Sequence, residues 1–363
     1  MYNSFLPGQV WLDTEGKRIQ AHGGSVIHID GVYYFYGENK EHTDGKNGIW
    51  TYGIRAYASR DLYNWEDKGL IIPPDTENKD SCLHPSAKVD RPHIIYNKTT
   101  KKYVCWLKIM NDDNTQTETV LTADDFLGPY TLVKEGLKPL GMSAGDFDLV
   151  VAPDGKAYYY FERVHSETIC ADLTEDYTNV TGYYSTHFPR PYPPYVREAT
   201  AHLLRKNKHY LITSGTTGYM PNPSEVAIAD TWHGPFTVLG DPHPADPSNT
   251  SFHSQISSVF KVPGKKDLYI ACADRWLPGS VDVPYEAYKD GFEMAFNPDA
   301  DKTFLAQMIE KAKNQPETFG DNTSIADYVW LPLRFVEPCE EYPLGMVFID
   351  WFDEWRIEDY EDC

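Results

Sequence analysis

Five polar residues stand at comparable places in this 363-residue chain: His22, Asp90, Asp146, Glu198 and Gln255 precede Tyr33, Tyr103, Tyr158, Tyr210 and Tyr269 by 11, 13, 12, 12 and 14 residues. Each opens a short, mostly apolar segment, as in Glu198-Ala-Thr-Ala-His-Leu-Leu204. If the segments lie side by side, five polar heads converge on one site. A pair of carboxyl groups in such a site suits glycosidic bond hydrolysis, where one acid protonates the leaving oxygen and a second group across the sugar activates water or attacks carbon. Glu198 is the expected acid. Its side chain is long, it follows a proline-rich loop (Pro189 to Pro194) able to wall off solvent, and apolar neighbours favour its protonated form.

Asp146 and Asp90 follow the same grammar, and like charge from either raises the proton affinity of the acid. The ordinary alternative for each aspartate is a turn cap. Gln255 is no ordinary base at neutral pH, yet it could hold a water across the substrate from Glu198; a channel residue or substrate contact is the equal alternative. His22 sits beside Gly23 and Gly24, which permit close approach of a ligand. A hydrogen-bonded core histidine is the competing reading.

The elements that must position these heads come from a repeat. Five aromatic segments, Val32 to Tyr36, Tyr103 to Leu107, Ala157 to Phe161, His209 to Thr213 and Leu268 to Cys272, read as strands, most of them preceded by turns such as Asp30-Gly31 and Asn207-Lys208. Four are followed by an acidic turn leading to an aromatic: Asp61 to Trp65, Asp125 to Tyr130, Asp172 to Tyr177 and Asp230 to Phe236. Units of roughly fifty to seventy residues with three or four strands each predict an all-β fold, a five-bladed β-propeller over residues 1–363. A β-sandwich does not account for the repeat. From about 277 to 327 the pattern lapses into an expected insertion. A helix is predicted there, with Asn297 as N-cap, Pro298 at its first position and Phe304, Met308 and Ala312 on one face. The tail, Phe348 to Trp355, is expected to close the last blade or pack on the first, as is Met1 to Trp11.

The formal net charge of −21 disfavours nucleic acid and anionic membrane surfaces as partners and leaves a neutral small molecule compatible. The abundant Tyr and Trp suit both strands and sugar-stacking surfaces. Six scattered cysteines form no C-x-x-C pair, which implies neither a zinc site nor a disulfide framework; Cys105, Cys170 and Cys272 are expected as buried thiols. No basic-then-apolar leader is visible, so the cytoplasm is the expected compartment unless a signal peptide has been removed. No cofactor or metal ligand is implied; a calcium ion in the channel near His253 and the oligomeric state are left open.

The series Ala-His-Gly-Gly, Asp-Arg-Pro-His-Ile-Ile-Tyr-Asn, Arg-Glu-Ala, Thr-Ser-Gly-x-Thr-Gly-Tyr-x-Pro-Asn, Ser-Gln-x-Ser, Asp-Arg-Trp and Tyr-Val-Trp-Leu-Pro-Leu runs in order from His22 to Leu333. It resembles glycoside hydrolase family 43, within it the exo-β-1,3-galactanase and β-galactosidase-like branch. The resemblance implies a five-bladed propeller and an inverting exo-glycosidase acting on a galactose-containing oligosaccharide. Glu198 matches the general acid, Asp146 the orienting aspartate, and Gln255 the glutamine that this branch has in place of a basic aspartate, with His22 standing at that first-blade position. The branch's usual Glu-Arg-Pro-Lys is here Asp90-Arg91-Pro92-His93. Expected sugar contacts are His22, Gly23, Tyr36, Glu38, Tyr219, Asn222, Arg275 and Trp276, with Trp276 or Trp330 stacking on the ring, although core packing competes for both tryptophans. An α-L-arabinofuranosidase or β-xylosidase, a phosphorylase, and a carbohydrate-binding pseudoenzyme are the alternatives on the same residues.

Overall fold

Tight turns set the first level of order. The computed structural model describes residues 1–301, 303 and 321–363. At Asp30-Gly31 and Lys206-Asn207 both turn residues have positive φ, the conformation of two-residue hairpins whose twist matches the flanking strands. Repeated hairpins build four blades from consecutive antiparallel strands: β1–β4 (His22–Ile29, Val32–Glu38, Ile54–Ser59, Glu66–Ile72), β5–β8 (Lys88–Asn97, Lys102–Met110, Gln116–Ala123, Thr131–Leu137), β9–β12 (Ala144–Val151, Ala157–Arg163, Glu167–Leu173, Val180–His187) and β13–β16 (Glu198–Arg205, Lys208–Ser214, Glu225–Ala229, Thr237–Gly240). The fifth comprises β17–β21 (Gln255–Lys261, Tyr269–Arg275, Asp327–Tyr328, Leu331–Val336, Met346–Ile349). The chain is a five-bladed β-propeller. The aromatic segments are the second strands, and their burial on both faces explains their near-continuous apolar character: Tyr158 to Phe161 are all buried between neighbouring blades.

β1, β5, β9, β13 and β17 are the innermost strands and pack against one another around the axis. The outermost strands β8, β12 and β16 face solvent, which leaves Leu132, Tyr183 and Val238 exposed. Between blades five and one lies an aromatic core of Phe5, Phe35, Trp65, Trp330 and Trp355. Phe5 stacks on Trp355 with ring centroids 4.4 Å apart and pairs with it through backbone hydrogen bonds, while Tyr63 donates to Glu358 at 2.8 Å. The tail thus does both expected things: Met346–Ile349 completes blade five, and the following residues pack on blade one together with the N-terminal segment.

Between β18 and β19 the chain forms a helix, α1 (Lys289–Phe296), and short 3-10 turns. The expected helix start is corrected here. Asn297 is the C-cap of α1 rather than an N-cap, and Pro298 follows in a turn, where its missing N–H and ring stop the helix. Phe304, Met308 and Ala312 lie outside the described residues. All six cysteines are free, with Cys105, Cys170 and Cys272 buried. Among the described residues no helix is long and apolar enough to cross a membrane.

Candidate active site

The inner strands share a local irregularity that aims their heads inward. The β1–β2, β5–β6, β9–β10, β13–β14 and β17–β18 registers all shift near the start of the inner strand. The residue after the head is left-handed in three blades, Gly23 at φ 60°, Arg91 at 53° and Ala199 at 48°. Such bulges re-aim side chains. A cavity of about 650 Å³ opens at this end of the axis, within the range of small-molecule sites. Its floor contains Asp90, Asp146, Glu198 and Gln255, with Glu38 and Trp276 alongside. Tyr219, on the 216–220 loop, lines its side.

Glu198 heads β13 and is partly exposed into the cavity. Its Oε1 accepts from Gln255 Nε2 at 3.2 Å. Burial, then the nearby charges of Asp146 and Glu162, hold its carboxyl well above the usual carboxylate range. Asp146 takes the opposite direction. Burial opposes its charge, but Arg91 at 2.9 Å and Lys108 at 2.5 Å outweigh that and keep its pKa below the ordinary value. Two neighbouring carboxyls whose environments push them apart form an acid and an anion.

Gln255 is fully engaged. Its Oε1 accepts from Arg91 and from Trp276 Nε1 at 3.3 Å, and its Nε2 donates to Ser214 at 2.9 Å as well as to Glu198. Asp90 accepts from Trp50 Nε1 at 2.7 Å, with Lys108 at 3.6 Å and Lys40 at 3.8 Å. Glu38 accepts from the Arg91 backbone N–H at 2.9 Å and pairs with Lys40 at 2.8 Å; burial pushes its pKa up to about 7.

Several expected contacts lie elsewhere. His22 is fully buried behind the cavity lining, its ring bonded to Asp274 at 2.9 Å and Gln20 at 3.2 Å and stacked on Tyr328. It is the core histidine of the competing reading. Gly23 makes room for protein, not ligand: a Cβ there would come 2.4 Å from Glu38 Oε1. Tyr36 is buried between blades, where its hydroxyl donates to the Ile94 carbonyl at 3.4 Å and accepts from the Ile94 N–H at 2.7 Å. Asn222 is buried beneath the 216–220 loop, bonding Gly215 and Thr217, so it supports Tyr219 without reaching the cavity. Arg275 donates to the carbonyls of Phe252 and His253. Trp330 sits in the aromatic core with 1% exposure. Neither His253 nor the proline-rich loop lines the cavity, and among the described residues no three His, Cys, Asp or Glu side chains group to hold a metal ion.

Residues to which the sequence reading gave no role matter as much. Arg91 and Lys108 are the cations that set Asp146, and Glu162 is a further buried carboxyl, its pKa raised to about 7 first by burial. A signal existed. Glu38, Lys108, Glu162, Ser214 and Asp274 lie at or within two residues of the ends of the second strands, 5, 5, 4, 4 and 5 residues after the anchor tyrosines. They form a second ring of equivalent positions, four of them directly opposite an inner-strand head that faces the cavity or core (His22↔Glu38, Asp90↔Lys108, Glu198↔Ser214, Gln255↔Asp274).

A propeller whose axial cavity sets a carboxyl of raised proton affinity beside one of lowered proton affinity has the parts of a glycoside hydrolase. The chain belongs to the glycosyl hydrolases of family 43, whose model matches residues 18–279. Among solved structures it is similar to a family 43 β-1,3-galactosidase at 26% identity and TM-score 0.75, covering 99% of this chain and 65% of that one. A second β-1,3-galactosidase, in complex with galactodeoxynojirimycin, matches at 25% identity and TM-score 0.75, covering 97% and 100%. The exo-β-1,3-galactanase of Phanerochaete chrysosporium shares the fold at 23% identity and TM-score 0.74, over 98% and 68%. No curated protein sequence matches the chain.

Proposed function

We propose that this protein is an inverting exo-glycosidase that releases galactose from β-1,3-linked galactosides. The observation that carries the reading is the opposition in one cavity between Glu198, whose pKa burial and neighbouring anions raise, and Asp146, whose pKa Arg91 and Lys108 lower. Glu198 protonates the departing glycosidic oxygen. Asp146 is already neutralised by Arg91 and Lys108, so it orients the network and sustains the proton affinity of the acid without competing as a base. Gln255 bonds directly to the acid and fixes its rotamer. Water activation falls either to Gln255, if substrate displaces one of its donors, or to Asp90 on the facing blade. The likeness to two β-1,3-galactosidases at 25–26% identity supports galactose as the sugar.

Release of α-galactose from β-1,3-galactobiose, followed by NMR, tests both the sugar and the stereochemistry. Glu198→Gln is expected to lower kcat by at least about 10²-fold while galactose binding persists, and a fully active variant overturns the assignment of the acid. Turnover of nitrophenyl arabinofuranoside or xyloside in place of galactobiose would instead identify the related activities. Comparing Gln255→Ala with Asp90→Asn locates the water-activating group by whichever loses the chemical step.

A further inference from the structure

The cavity has a polar floor made by the propeller, and the insertion lines its wall with two phenylalanines as well as Asp321 and Thr323. Phe292 and Phe296 of α1 line it together with His165, from the hairpin joining β10 to β11. Phe296 is 39% exposed although it faces a cavity. Its ring meets the His165 imidazole edge to face, centroids 4.8 Å apart at 77°. α1 buries none of its own residues, so its position is not set by a core of its own. Contacts to the loops around blade four hold α1 and the turn before it: Glu293 accepts from Tyr195 Oη at 2.6 Å, and in the preceding turn Tyr288 Oη donates to the Pro221 carbonyl and Tyr285 N–H to the Ser248 carbonyl at 2.9 Å. A phenyl ring 39% exposed at the end of a helix that borders the cavity offers apolar area to whatever fills that space.

We propose that Phe296, backed by His165, is the platform for the pyranose on the leaving-group side of the scissile bond, an inference that rests on the glycosidase reading above. The floor, with Glu198, Asp146 and Gln255, takes the sugar whose bond is cut. The departing sugar lies on the far side of Glu198, toward the rim. Phenylalanine offers that sugar area and no hydrogen bonds, so it binds the C–H face of a pyranose without selecting among its hydroxyls. The insertion thereby sets affinity for the aglycone, while the propeller sets the sugar that is released.

Two substrates separate these roles. β-Galactosyl fluoride has no leaving-group sugar, and β-1,3-galactobiose has one. Phe296→Ala is expected to raise KM for galactobiose by about tenfold and leave kcat/KM for the fluoride within about twofold, which also verifies that the variant is folded. Phe296→Tyr, which keeps the ring, is expected to restore galactobiose KM. Equal losses on both substrates, or no change on either, overturn the assignment. If the unmodified protein turns over the fluoride but not galactobiose, the platform is overturned while the recognition of galactose at the floor stands; if it turns over neither, the galactosidase reading itself falls.

Discussion

A carboxyl donates a proton at neutral pH only if its surroundings oppose its ionisation, and Glu198 has two such influences, burial and the anions nearby. The rate should therefore fall as pH rises through the raised pKa of Glu198, because the acid is then lost. Asp146 supplies part of that opposition. Removing its charge makes ionisation of Glu198 easier, so Asp146→Asn is expected to move the alkaline limb of the kcat/KM profile to lower pH. A limb that stays put or moves upward would show that Asp146 does not raise the proton affinity of the acid. The buried cations sharpen the expectation: with Asp146 gone, Arg91 and Lys108 are left to attract the Glu198 carboxylate, which lowers its pKa further.

The heads of the inner strands owe their aim to element-level features, namely bulges and a left-handed residue just past the head. Their supporting loops are equally specific. Asn222 bonds the Gly215 N–H at 2.5 Å, the Gly215 carbonyl at 2.8 Å and Thr217 Oγ1 at 2.7 Å. Asn222→Ala removes three buried hydrogen bonds and is expected to destabilise the protein by about 2 kcal/mol. Because Tyr219 stands on the loop so held, KM should rise while the pH limbs stay unmoved. Thermal unfolding and a pH–rate profile check the two halves. This is also the scale at which the sequence was half legible. The anchor tyrosines located both inner and second strands, and the inner-strand heads were found by counting back from them. Counting forward four or five residues reaches Lys108 and Glu162 by the same logic, but a lysine and a glutamate at strand ends resemble ordinary solvent-facing charges until the ring is closed.

Across the whole molecule, closure depends on residues near the two ends of the chain meeting between blades five and one. Trp355 stacks on Phe5 and donates its indole N–H to the Trp330 carbonyl at 2.9 Å. Trp355→Ala is expected to cost about 3–5 kcal/mol, read as a lower midpoint of thermal or denaturant unfolding. The cavity lies among the strand heads and is not lined by this core, so kcat at 25 °C should stay within about twofold of the unmodified protein. A midpoint left unchanged would mean that the ring is closed by the strands of blade five alone.

The sequence by itself determined the repeat, the all-β propeller and the residue at the head of each inner strand, because hydrophobic alternation, turn chemistry and spacing are local properties written along one chain. It singled out Glu198 for the same reason. The tertiary structure decided which heads face the cavity and which face the core. His22 and Glu198 open equivalent strands, yet His22 turns to Asp274 and Tyr328 while Glu198 turns to Gln255 and the cavity. It also decided the charge of each carboxyl, since that depends on Arg91, Lys108 and Glu162 reaching across blades from positions far apart in the chain. Orientation and proton affinity are properties of a three-dimensional neighbourhood, and no spacing along the chain encodes them.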